Sequence, residues 1–95
     1  MITVNELKKL KKEDYILVDV REAEELKAGS ISGNKNIPSK KCAELITKRW
    51  FPNDKKVIVY CEHGIRSGNI EEFAKAHGYK NFHSIKGGYA EYKNS

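Results

Sequence analysis

Residues 60–67 read YCEHGIRS, and they set the chain's most nucleophilic side chain, Cys61, on a short loop. The preceding stretch, KKVIVY, is an apolar run of the kind that fills a buried strand, and the following NIEEFAKAHG has helical spacing. A loop that folds back from strand to helix turns several backbone N–H groups inward and makes a concave nest for an anion. The helix N-terminus adds about half a positive charge. Both effects favour thiolate over thiol, so the pKa of Cys61 is expected below the free value of about 8.5. Gly64 permits a backbone conformation that a side chain would resist. Arg66 carries a rigid fork that suits an oxyanion or closes the loop by a bidentate bond. Ser67 is placed to cap the helix or to donate to sulfur. Glu62, His63 and Ile65 complete the loop, and Glu62 and His63 give its mouth a mixed charge. A small buried cysteine ending a strand is the plain alternative. It accounts for Cys61 and leaves Gly64, Arg66 and Ser67 unexplained.

The elements around the loop alternate apolar runs with helical patterns. That order predicts an α/β fold with a mainly parallel central sheet of four to five short strands and helices on both faces. Thr3 and Glu6 stand at capping-box spacing before Val4, Leu7 and Leu10. Strands are predicted over Tyr15–Val20, Lys56–Tyr60 and Asn81–Ile85. A short helix is expected from Glu22 to Lys27, ended by Gly29. The segment SISGNKNIP is loop chemistry with room for a short strand. Ser39 is placed to cap the next helix, whose apolar stripe reads Cys42, Leu45, Ile46 and Trp50. Pro52-Asn53-Asp54 makes a turn. Ile70, Phe73, Ala74 and His77 form a further stripe stopped by Gly78. Gly87-Gly88 breaks the last strand, and a final helical turn carries Tyr89 and Tyr92. In such open sheets ligands bind beyond the carboxyl ends of the strands, where Cys61 falls. Asp19 lies near the end of the first strand, where it either orients the loop or caps the helix at Glu22.

The totals bound the rest. The 95 residues suit one domain spanning 1–95. No apolar run approaches the roughly 18 residues a membrane helix needs, and the first residues have no apolar signal-peptide core, so a cytoplasmic protein is expected. The formal charge of +5 comes from scattered lysines with no aromatic array among them, which argues against nucleic acid and for a solvated basic surface. Two cysteines are too few for a secreted disulfide scaffold. Cys61 and His63 lack a second ligand pair, so no metal site is predicted. Cys42, on an apolar stripe, reads as core. His77 and His83 read as helix-end and strand residues, His63 as an exposed loop residue, and Arg21 as a surface or salt-bridging residue.

CEHGIRS closely resembles the active-site loop of the rhodanese family, C-x-x-G-x-R followed by a small residue. Asp19-Val20-Arg21-Glu22 is similar to that family's D-V-R-E segment. Gly29 to Pro38 is similar to its G-H-I-P-G-A-x-N-I-P segment, and Gly87-Gly88 with Tyr92 to its closing G-G-x-x-x-W. The four motifs occur in order over nearly the whole chain. The resemblance implies a sulfurtransferase in which Cys61 takes sulfane sulfur from a small anionic donor, such as thiosulfate or polysulfide, or from a protein persulfide. It holds the sulfur as a persulfide and passes it to cyanide or a protein thiol. It implies loop support from Asp19 and no metal or organic cofactor. A sulfur-carrier or partner-binding module with little free activity is the main alternative. Cysteine phosphatases and arsenate reductases form a lesser one, since only Glu62 to Ile65 separate Cys61 from Arg66 and the phosphatase loop is longer.

Ser30, Ser32 and Tyr92 depart from the family pattern, where histidine, proline and tryptophan are usual. Glu62 at the mouth is expected to make the dianion thiosulfate a poor donor. The short chain is expected to leave the mouth open, which suits another protein's cysteine, with the molecule a monomer or weak dimer.

Overall fold

The computed structural model describes residues 1–95. Thr3 caps the first helix, α1 (Val4–Lys8), with its hydroxyl on the Glu6 amide while Glu6 reaches back to Thr3, so the predicted capping box forms. A 3-10 turn at Lys12–Asp14 leads into β1 (Tyr15–Asp19). A second 3-10 turn, Ala23–Ala28, ends at Gly29. Then come β2 (Lys35–Asn36), α2 (Ser39–Thr47), β3 (Lys56–Tyr60), α3 (Ile65–Ala76), β4 (Phe82–Ser84) and α4 (Gly88–Lys93).

All pairings are parallel, in the order β2-β1-β3-β4. The register sets Asp19 beside Tyr60 and Asn36, and Val59 beside Ser84. Asp19, Asn36, Ser84 and Cys61, one residue past β3, therefore gather at one carboxyl edge. Two apolar clusters cover the two faces. One packs Val57, Val59 and Phe82 under Cys42 and Ile46 of α2 and Ile70 of α3. The other packs Ile58 and Tyr60 under Leu7 of α1 and Tyr89 of α4. The predicted parallel sheet with helices on both faces is the observed one. Burying Val57, Ile58 and Val59 completely contributes about 1.5–3 kcal/mol each, which fixes β3 at the centre.

Some local expectations fail for identifiable reasons. Ser39 is the first residue of α2, not its cap: Pro38 stands at the cap, and the Ser39 amide donates to the Val20 carbonyl instead. Trp50 does not continue the α2 stripe. The helix stops at Thr47, Arg49 takes φ 55°, and Trp50 is 58% exposed while Phe51 turns inward in its place. The strand predicted over 81–85 is shorter at both ends. Asn81 spends its side-chain amide on the Pro52 and Lys55 carbonyls, and Ile85 bridges to Ile2. The first strand ends at Asp19, although the Val20 amide still reaches the Tyr60 carbonyl. Cys42 is buried core, as expected.

Candidate active site

The loop starts where β3 runs out of partners. Cys61 Sγ sits at its foot and accepts from the Gly64 amide at 3.2 Å and the Ser67 amide at 3.4 Å, with the Ser67 hydroxyl at 3.5 Å. α3 begins at Ile65, four residues before the start of NIEEFAKAHG. Ser67 therefore lies in its first turn and does not cap it. Gly64 occupies the cap position at φ 96°, the left-handed region that suits glycine. Its conformation is what aims its own amide, and those of the turn beyond, at the sulfur.

Burial pushes the Cys61 thiol up. The Ser67 hydroxyl and the amides of Ser67, Gly64 and His63 outweigh it, and the net direction is downward. Cys42 shows what burial does alone, with its thiol pushed up to about 12. One chain thus carries two buried thiols, and only the one at the helix N-terminus is disposed to ionise.

The second support comes from α4. Gly87 and Gly88 both have positive φ, and the Tyr89 and Ala90 amides donate to the Cys61 and Glu62 carbonyls at 2.9 Å. A Cβ on Gly88 would lie 2.6 Å from those two carbonyl oxygens, so glycine alone permits the approach. The strand is over at Ser84, before the glycine pair predicted to break it, and the pair instead clamps the loop from behind.

The rim is made of ion pairs. Arg66 meets Glu25 through both terminal nitrogens, at 2.8 and 2.9 Å, and closes the loop by the bidentate option. Glu25 also receives the Glu22 amide at 2.8 Å. These contacts, Arg66 first, bring the Glu25 carboxyl down to about 2. Arg21 takes the salt-bridging option and is no surface residue. It is 1% exposed, bound to Asp19 at 2.7 Å and to the Gly29 carbonyl at 2.8 Å, with Tyr89 4.8 Å from its guanidinium. It also reaches Glu62 at 3.3 Å, and Glu62 pairs with Lys93 at 3.7 Å. Asp19 thus touches the loop only through Arg21, and it does not cap the turn that follows, where Glu22 and Glu25 cap each other.

The sulfur is less open than expected. Cys61 is 2% exposed, so the mouth is a rim of exposed side chains above a covered thiol. His63 projects to solvent, Glu62 is partly covered by its cations, and Ile65 is 75% exposed. The departures at Ser30 and Ser32 leave an organised loop. Asn34 donates to Ser30 Oγ and to the Ile31 carbonyl, and the Ile31 amide donates to Tyr60 Oη. Tyr92 stacks on Tyr89 at 6.5 Å. Glu25 and Ser84 escaped the sequence reading, and Gly88 was read as a strand breaker and family landmark but not as a clamp on the loop. Of Glu25 and Ser84, only Glu25 had a signal, its three-residue spacing from Glu22.

The model of the rhodanese-like domain family matches residues 3–95. Thiosulfate sulfurtransferase GlpE of Coxiella burnetii is 30% identical over 84 residues, covering 88% of this chain and 77% of that protein. The uncharacterized protein YqhL of Bacillus subtilis is 33% identical over 76 residues, 80% of this chain, and the chain spans 59% of that relative's length. A rhodanese-related protein of Thermoplasma volcanium superposes with a TM-score of 0.83 at 33% identity, covering 98% of this chain and 89% of that one.

Proposed function

The chain belongs to the rhodanese-like domain family, and on that premise we propose that it is a sulfurtransferase working through a persulfide on Cys61. The observation that carries the reading is the convergence of the Gly64 amide, the Ser67 amide and the Ser67 hydroxyl on one sulfur at the start of α3. Such donors stabilise a negative charge that the interior would otherwise reject.

In the first half-reaction the Cys61 thiolate attacks the sulfane sulfur of the donor. A bond forms from Sγ to that sulfur as the donor's S–S bond breaks. The leaving group departs with the electron pair, as sulfite from thiosulfate, a shortened polysulfide, or the cysteine thiolate of a protein persulfide. In the second half-reaction an acceptor thiolate or cyanide attacks the terminal sulfur, and the Sγ–S pair returns to Cys61. The amides that held the thiolate then face the terminal sulfur. Neither half-reaction calls for a metal or organic cofactor.

Attack on a sulfur this covered requires the rim to yield slightly. The cations at the rim are already engaged, Arg66 by Glu25 and Lys93 and Arg21 by Glu62. That favours a donor that carries less charge than the dianion thiosulfate, such as a protein persulfide.

The test is intact mass after incubation with thiosulfate and, separately, polysulfide. Gain of one sulfur, lost on adding cyanide and absent in Cys61→Ser, is the expected result. No mass gain with either donor refutes the reading. Mass gain without thiocyanate turnover identifies a carrier, and Cys61-dependent hydrolysis of a phosphate monoester would instead favour the phosphatase reading.

A further inference from the structure

Ser67 and Glu71 stand one turn apart on α3, both buried, and both reach Ser84 on β4. Glu71 Oε1 accepts the Ser84 amide at 2.6 Å, which fixes the backbone there. The two serine hydroxyls lie 2.6 Å apart, and Ser67 Oγ is also 3.5 Å from Cys61 Sγ. The Ser84 side chain is fully buried, and Ser67 Oγ is its hydrogen-bond partner.

Each hydroxyl has one proton to place. With Cys61 as thiolate, Ser84 donates to Ser67, Ser67 donates to Sγ, and every proton has an acceptor. With Cys61 as a thiol that donates to Ser67, the Ser67 proton turns to Ser84. The Ser84 proton is then stranded in the interior, an unpaired donor that costs stability. If the thiol does not donate, the chain ends on neutral sulfur, a weak acceptor. Both arrangements of the thiol are worse than the one arrangement of the thiolate.

We propose that Ser84 is a positioning residue whose buried hydroxyl turns the Ser67 proton onto Cys61 Sγ and so holds the sulfur as its anion. The inference rests on Cys61 being the reacting sulfur. It adds a hydroxyl relay, Ser84 to Ser67 to Cys61, behind the loop amides. Titratable groups on the elements packed around the loop and Ser84 are Arg66 with Glu25 at the rim, Glu71 with Lys75 and the N-terminal ammonium behind Ser84, Asp19 with Arg21 at the end of β1, Lys93 of α4 with Glu62, and His83 beside Ser84 on β4. All remain when only the Ser84 hydroxyl is removed.

The experiment is the pH profile of Cys61 alkylation by iodoacetamide, read by intact mass, in the wild type, Ser84→Ala, Ser67→Ala and the double variant. Ser84→Ala is expected to raise the midpoint by about half to one pH unit, a loss of about three- to tenfold in thiolate below the midpoint. In the Ser67→Ala background the same change is expected to add nothing, because the relay has lost its middle member. An unchanged midpoint in a cooperatively folded Ser84→Ala protein, or a shift of full size in the Ser67→Ala background, overturns the relay. Ser84→Gly removes the same hydroxyl and replaces Ser84→Ala if that variant does not fold. Alkylation uses no sulfur donor. A wild type that alkylates at low pH but never gains sulfur would defeat the proposed function and leave the relay standing.

Discussion

Glu25 and Arg66 lie forty-one residues apart in the chain and meet across the mouth of the site with both guanidinium ends engaged, at 2.8 and 2.9 Å. The pair ties the turn after β1 to the first turn of α3. Both groups are partly exposed, so its worth is below about 1 kcal/mol after screening. Glu25 has a folded pKa below its unfolded value of 4.5, at about 2. Its contribution is therefore complete above 4.5 and lost as pH falls toward 2. Glu25→Gln should lower the melting temperature by a few degrees at neutral pH, and the gap should close on acidification. A gap that widens in acid would contradict this assignment.

Gly88 and Gly33 both have positive φ but differ in surroundings. A Cβ at Gly88 meets backbone carbonyls at 2.6 Å, and at Gly33 it meets nothing within 4 Å. Gly33→Ala should cost about 1–2 kcal/mol, the left-handed strain alone. Gly88→Ala should cost roughly 1–3 kcal/mol more, as overpacking does, and should slow Cys61 alkylation by moving the loop. Urea melts and alkylation rates of the two variants check both parts. Equal effects would show that α4 does not clamp the loop.

Asp19 and Arg21 form a buried pair, with Asp19 fully covered. Removing one partner leaves the other charge uncompensated inside the protein. Asp19→Ala should therefore destabilise by about 3–5 kcal/mol in urea denaturation. A loss under about 1 kcal/mol would mean that Arg21 finds another anion or reaches water.

Glu62 keeps Arg21 and Lys93 occupied at the rim. Glu62→Gln removes a negative charge from the mouth and frees Lys93. The KM for thiosulfate should fall about two- to fivefold at low ionic strength, with the advantage fading at high salt. Steady-state thiocyanate assays at two salt concentrations decide it, and an unchanged KM counts against any electrostatic role.

The two thiols separate in alkali. Cys42 rises from 9.0 to about 12 in the folded protein. Its neutral form is retained by the fold, so its contribution is full below 9 and lost as pH rises toward 12. Near neutrality iodoacetamide should label Cys61 once and leave Cys42 untouched. In Cys42→Ala the loss of stability above pH 9 should be smaller than in the wild type. Double labelling of folded protein near neutrality would contradict the burial of Cys42.

Much of the fold follows from local spacing. Alternating apolar runs and helical stripes set the parallel sheet, and Thr3, Gly29 and Gly78 mark ends where the backbone changes course. Periodicity overran at Trp50 because a stripe does not say where a helix stops. Arg49 in the left-handed region turned the next two side chains around. Ser39 and Ser67 looked like caps by type, yet their places were settled by the Val20 carbonyl and by the residue at which α3 begins.

The sequence alone was enough to place Cys61 on the loop after β3, together with the glycine that turns that loop and the helix that follows, because these lie within a few residues and obey local rules of backbone geometry. The partners of that loop were decided elsewhere. Glu25 on Arg66, Arg21 on Glu62, Gly88 against the Cys61 carbonyl and Ser84 behind Ser67 are pairs brought together by strand register and helix packing. Side-chain reach across that distance depends on how whole elements sit against each other, and no short spacing in the chain records it.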